Sequence, residues 1–83
     1  MGEPYTLRFT EKSVRGLNRL ERSTAEHILD KLHWLAENAA VAVHVPLTGE
    51  WSGFYRLQVG DYRVIYQLSH NMHLIVAESI SDE

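Results

Sequence analysis

Gly53–Leu68, GFYRLQVGDYRVIYQL, is the stretch from which the fold can be worked out. At its centre Gly60-Asp61 separates two runs of alternating character, and a two-residue link of this kind is a strong β-hairpin signal. Counting outward from it pairs Val59 with Tyr62, Gln58 with Arg63, Leu57 with Val64, Arg56 with Ile65 and Tyr55 with Tyr66. Side chains alternate across a strand, so Tyr55, Leu57, Val59, Tyr62, Val64 and Tyr66 share one face. That is the core face. Arg56, Gln58 and Arg63 share the other, with the two arginines diagonal neighbours at about 7–8 Å between Cα atoms.

Two guanidinium groups so placed repel each other unless an anion lies between them. They are also the only Lys or Arg residues in the C-terminal half of the chain. Two readings are open. In the first, the arginines pair with Asp61 in the turn or Glu78 on the last strand, on a solvated sheet face. In the second they form a phosphate site, because paired forks of N–H donors match phosphate oxygens. Gln58, between them, is then placed to hydrogen-bond a base or ribose. A one-residue slip of register scatters the set, so the second reading hangs on the turn.

Working outward, Tyr5 to Phe9 reads as a short strand with Tyr5, Leu7 and Phe9 on one face. Thr10 is the expected N-cap of a first helix running to about Leu20, with Val14, Leu17 and Leu20 as its apolar stripe. Gly16 within it costs about 1 kcal/mol against alanine and points to close packing. Ser23 to Glu26, STAE, reads as a capping box opening a second helix. Ile28, Leu29, Leu32, Leu35, Ala36 and Ala39 form the apolar face of that helix. The short break between the two implies an antiparallel helical hairpin. Val41 to Pro46 leads out, and Leu47 to Gly53, LTGEWSG, is a loop by composition. Strands then follow at Phe54–Val59, Tyr62–Leu68 and His73–Ser79, with a turn at Ser69-His70-Asn71. The expectation is one α+β domain over residues 1–83, β-α-α-β-β-β, with the helical hairpin packed on a mostly antiparallel twisted sheet.

Composition narrows the function classes. Eighty-three residues with 45% apolar and 23% charged content suit a small globular domain. The absence of cysteine excludes a thiolate zinc site and a cysteine nucleophile, and is compatible with a reducing cytoplasm. No apolar run reaches the roughly 18 residues of a membrane span, so no membrane partner is expected. A net charge of −3 argues against a generally basic nucleic-acid binder, yet six of the eight Lys and Arg residues lie between Arg8 and Lys31. Lys12, Arg15, Arg19 and Arg22 recur at helical spacing opposite the apolar stripe, Arg22 near or beyond the helix end. They form either a solvated face or a ridge suited to backbone phosphates.

The five histidines do not assemble a metal set by spacing. His27 and His33 point to different sides of the second helix, and His70 and His73 bracket a turn. No metal or other cofactor is expected. Trp34, on the polar side of the second helix, and Trp51, in the loop, are either packed locally or anchors for a partner protein.

The hairpin resembles the core of the RelE family of toxins from prokaryotic toxin–antitoxin pairs. The family pattern is a leucine–glycine loop followed by Tyr-Arg-Leu-Arg-Val-Gly-Asp-Tyr-Arg-Val-Ile-Tyr. Leu47, Gly49, Gly53, Tyr55 to Leu57, Val59 to Tyr62 and Arg63 to Tyr66 match it. The resemblance implies a RelE-like, microbial-RNase-like fold and a metal-free endoribonuclease, an mRNA interferase that cleaves mRNA in the ribosome. It also implies neutralisation by a cognate antitoxin in a hetero-oligomer. Arg63 matches the phosphate-stabilising arginine of the second hairpin strand, and Arg56 an outward basic position on the first. Gln58 stands where a further basic residue is common. The same superfamily holds ParE-type toxins that bind DNA gyrase, so a non-catalytic, protein-binding toxin is the alternative. One departure bears on activity: family members end the last strand with basic residues and a tyrosine, whereas this chain has Ala77 to Glu83, AESISDE. Acidic residues at that place are expected to repel phosphate.

Overall fold

A computed structural model describes residues 3–82. The chain runs β1 (Thr6–Phe9), α1 (Glu11–Asn18), α2 (Arg22–Glu37), β2 (Val45–Pro46), a short 3-10 turn (Gly49–Trp51), β3 (Phe54–Val59), β4 (Tyr62–Ser69) and β5 (Leu74–Asp82). The strands form one sheet in the order β1-β5-β4-β3-β2. Only β1 and β5 pair in parallel. Both helices lie on one face of this sheet, and the other face is open.

The hairpin has the register expected from its turn, from Val59 opposite Tyr62 to Tyr55 opposite Tyr66. Gly60 has a φ of 59° and Asp61 keeps a negative one, the pattern of a II′ turn with glycine first. A side chain at residue 60 would strain that turn.

Apolar burial holds the two layers together. Ile28, Leu32, Leu35 and Ala36 on α2, with Ala39 just beyond, are buried against Val59, Val64, Tyr66, Ile75 and Ala77 of the sheet. Full burial of each large aliphatic side chain is worth about 1.5–3 kcal/mol. His44 ties the end of α2 to the sheet. Its Nε2 donates to the Ala39 carbonyl at 2.8 Å, which leaves Nδ1 to accept from the Tyr66 hydroxyl at 2.5 Å. Burial, and secondarily Tyr55 nearby, raise the pKa of the Tyr66 hydroxyl, so it stays a neutral donor.

Several details differ from the sequence reading. The helix α1 ends at Asn18 instead of Leu20, and it turns Ser13 inward while Val14 stays exposed. Ser13 can be buried because its hydroxyl donates to the Thr10 carbonyl at 2.9 Å. Thr10 does cap α1, its Oγ1 accepting from the Ser13 amide at 3.1 Å. The STAE capping box does not form: α2 starts one residue before Ser23, with Glu21 at the N-cap and no side-chain cap bond. The cause is the tight link, in which Arg19 and Leu20 amides fold back onto Gly16 and Leu17 carbonyls. The helices also rest chiefly on the sheet, α1 over β5 and α2 over β1 and β3, more than on each other.

The remaining two differences reshape the sheet. Val45 and Pro46 pair with Arg56 and Tyr55, adding the edge strand β2 where a lead-out was expected. The last strand runs to Asp82 instead of Ser79, with Ser81 opposite Arg63 and Asp82 opposite Tyr62. An irregularity between Ile65 and Tyr66 leaves Glu78 without a partner on β4.

Candidate functional site

Three segments converge on the open sheet face. Arg63, near the start of β4, stands between Gln58 of β3 and Ser81 of β5. Lys12 reaches it from α1. That helix is pinned where Thr10 Oγ1 donates to the Glu78 carbonyl at 2.7 Å. It also lies so close to β5 that a Cβ on Gly16 would sit 3.1 Å from the Ile80 carbonyl oxygen. The close packing that the glycine suggested is thus what brings Lys12 to the sheet edge. Leu47 and Trp51 arrive from the loop after β2, which is fastened by the Leu47 amide donating to the Phe54 carbonyl at 2.9 Å.

Together these segments enclose a groove of about 290 Å³. Lys12, Arg63, Ser79 and Ser81 supply its polar groups, Leu47, Ile65 and Ile80 its apolar walls, and Trp51 an aromatic lip. No histidine or carboxylate is among those lining residues. The Nε of Arg63 is buried and has no hydrogen-bond partner, the one such side-chain atom among the described residues. An unmet buried donor costs about 1–3 kcal/mol, more when charged. Chemically, the groove can take an oxyanion between two cations and offset charge that develops on it.

The arginine pair is only partly united. Arg56 faces the same side as Arg63, but it sits opposite Val45 and Ile65, one step toward the β2 edge, and does not line the groove. Neither arginine forms an ion pair with Asp61, Glu78 or any other acid among the described residues. The acid pairing of the first reading is therefore not seen among the described residues. Gln58 gives one N–H to the Gly60 carbonyl at 2.9 Å, across the turn.

The four basic residues expected to form a ridge have different surroundings, and only Lys12, Arg15 and Arg19 belong to α1 or its C-cap. Lys12 enters the groove, whereas Arg15 pairs with Glu11 at 2.6 Å. Arg22 belongs to α2 and pairs with Glu26 at 3.4 Å. Arg19, at the end of α1, faces a second depression that contains Tyr62 and Asp82. The two depressions meet at Ile80 and Ser81. The expected acidic clash is also corrected for Asp82: pairing with Tyr62 puts it on the helix side, away from Arg63. Glu83 lies outside the described residues. Trp34 stays on the outer side of α2 with the Lys31 ammonium 4.8 Å from its ring centre, remote from the groove.

Sequence reasoning missed Ser79 and Ser81 as groove residues. Pairing of β4 with β5 could have been counted back from the Ser69–Asn71 turn. The unpaired Glu78 then shifts the count by one, and nothing in the local sequence announces it.

A family model for the ParE toxin of type II toxin–antitoxin systems matches residues 7–78. The chain belongs to the RelE/ParE superfamily of toxins. Solved structures agree on the fold. The RelBE2 toxin–antitoxin complex of Mycobacterium tuberculosis superimposes with a TM-score of 0.88 at 24% identity, covering 100% of this chain and 95% of that one. The RelE–RelB complex of the archaeon Pyrococcus horikoshii gives 0.76 at 21% identity, with 95% and 94% covered. The isolated RelE toxin of Escherichia coli gives 0.76 at 19%, with 94% and 83% covered. No curated protein matches the toxin in sequence. No helix of the toxin, among the described residues, is long and apolar enough to cross a membrane.

Proposed function

We propose that this toxin is a ribosome-dependent mRNA endoribonuclease whose groove holds the scissile phosphate. The supporting observation is that Arg63, whose Nε is buried with no hydrogen-bond partner, lines one groove together with Lys12. In the reaction, a ribose 2′-oxygen bonds to the adjacent phosphorus while the bond to the 5′-oxygen of the next nucleotide breaks with its electron pair. The 2′ proton leaves to solvent and the departing 5′-oxygen takes one up, so the products are a cyclic phosphate and a free 5′-hydroxyl. Arg63 and Lys12 donate to the non-bridging oxygens, where negative charge grows in the transition state. Arg56, on the same face one strand over, meets a neighbouring phosphate, and Gln58 a base or ribose at the hairpin end.

The toxin works in the cytoplasm with the ribosome and is held inactive by a cognate antitoxin in a hetero-oligomer. Its structural relatives from Mycobacterium tuberculosis and Pyrococcus horikoshii were solved as such complexes.

A second reading, that of a ParE-type toxin binding a protein target such as gyrase, is favoured by the ParE family match and by one feature of the site. The groove's lining offers no histidine or carboxylate to move protons. Primer extension on mRNA under translation separates the two. Discrete cuts that vanish with Arg63→Ala support the nuclease. Intact mRNA together with inhibited gyrase supercoiling establishes the alternative.

A further inference from the structure

We propose that Trp51 is the nucleobase platform of the groove: its indole stacks on the base of the nucleotide whose phosphate Arg63 and Lys12 hold. This rests on the reading of the groove as an RNA phosphate site and adds what recognises the base. Trp51 lines the same groove as both cations, yet 44% of it is open to solvent. Its orientation is set from one side. Phe54 packs at right angles to it, with ring centroids 5.3 Å apart and an interplanar angle of 86°. The backbone is fixed as well, by the Trp51 amide donating to the Thr48 carbonyl at 3.3 Å and the Ser52 amide to the Gly49 carbonyl at 3.1 Å.

A large aromatic surface that is held in place and left uncovered beside two cations is what an unpaired base requires. Each base has a π-face to stack and a phosphate to anchor. Trp34 makes the contrast, since it is equally exposed but carries the Lys31 ammonium over its ring and lies far from any cationic groove. Stacking tolerates sequence but grows with ring size, so the groove should prefer a purine over a pyrimidine.

The test measures binding of a fluorescein-labelled single-stranded hexaribonucleotide to the full chain at low salt, by anisotropy. A sugar–phosphate oligomer of the same length without bases serves as the second probe. Trp51→Ala should weaken the base-bearing RNA about tenfold or more and change the baseless oligomer by less than twofold. Trp51→Phe, which keeps a smaller ring, should fall between. If Trp51→Ala does not fold, as judged by urea unfolding, Trp51→Leu replaces it, since it keeps the apolar packing without the π-face. Arg63→Ala should weaken both probes. Equal losses on both probes for the Trp51 variant, no loss on either, or no binding of the RNA to the unmodified toxin would overturn the platform and leave a protein-docking role for Trp51. Loss with Trp51→Ala on the base-bearing RNA but none with Arg63→Ala on either probe would instead keep the platform and remove the phosphate assignment.

Discussion

The two faces of β4 contrast sharply although they alternate residue by residue. On the helix side Val64 and Tyr66 are buried, and the Tyr66 hydroxyl has its partner in His44. On the open side Arg63 has a buried donor with no partner, and Ile65 floors a groove. One side is satisfied by the chain's own groups, and the other keeps a donor unmet. A fold this small has few large side chains to spare for its core. An unmet donor on a strand whose other face is satisfied is what makes Arg63 the residue to test for binding.

The largest effects should fall on opposite sides of this contrast. Arg63→Ala is expected to cut mRNA cleavage by about 10²–10³-fold. Its urea midpoint should stay level or rise, because a buried unpaired donor disappears. Leu32→Ala on the core side should do the reverse, costing about 2–5 kcal/mol of stability. Cleavage per folded molecule should be unchanged. If Arg63→Ala destabilised as much as Leu32→Ala, the open face would be structural after all.

A smaller effect probes the link between the faces. Gly16→Ala gains about 1 kcal/mol of helix propensity. It also drives a Cβ to 3.1 Å from the Ile80 carbonyl oxygen, on sheet backbone that cannot easily yield. The expected net is a loss of about 1 kcal/mol by urea unfolding. A several-fold drop in cleavage should accompany it as α1 carries Lys12 outward.

Tyr66→Phe tests the satisfied side by its titration. Burial raises the hydroxyl's pKa in the folded state above the unfolded value, so the native protein holds that proton more tightly. The corresponding stability is whole below about pH 10, the ordinary tyrosine value. It is lost above that, by up to about 1.4 kcal/mol per pH unit. Urea unfolding between neutral and strongly alkaline pH should show that slope in the unmodified toxin and a flatter one in Tyr66→Phe. At neutral pH the variant should be about 1 kcal/mol less stable, from the lost bond to His44. A last measurement concerns binding alone: in Lys12→Ala the slope of log affinity against log salt for RNA should fall by about one.

Much of this molecule was legible because local rules and long-range packing agree there. The turn at Gly60 and the alternation around it fix a register that tertiary contacts then reinforce. Thr10 caps its helix as read, because its partner, the Ser13 amide, is local. The core residues Ile28, Leu32, Leu35 and Ala36 of α2, with Ala39 just beyond, were readable from their spacing, although Leu29, read with them, is only partly buried and lies outside the core. Misreadings came where a local signal met a constraint from elsewhere. Ser23 has the residues of a capping box, but the short link after α1 starts the helix before it. Val14 has the period of a core residue, but contact with β5 favours small groups, so Ser13 and Gly16 take that side. The edge strand β2 is two residues long, too short for any periodicity.

The candidate site divides along the same line. That Arg56, Gln58 and Arg63 share a face follows from sequence, since strand alternation is a property of the backbone. That Arg63 is the one with Lys12 and Trp51 around it was decided only when α1 settled on β5 and the loop after β2 closed on the hairpin. Residues 12, 51 and 63 belong to different elements, and their meeting depends on how closely those elements approach. No local pattern encodes that distance, because it is set by which side chains, here a glycine and a buried serine, are small enough to lie between them.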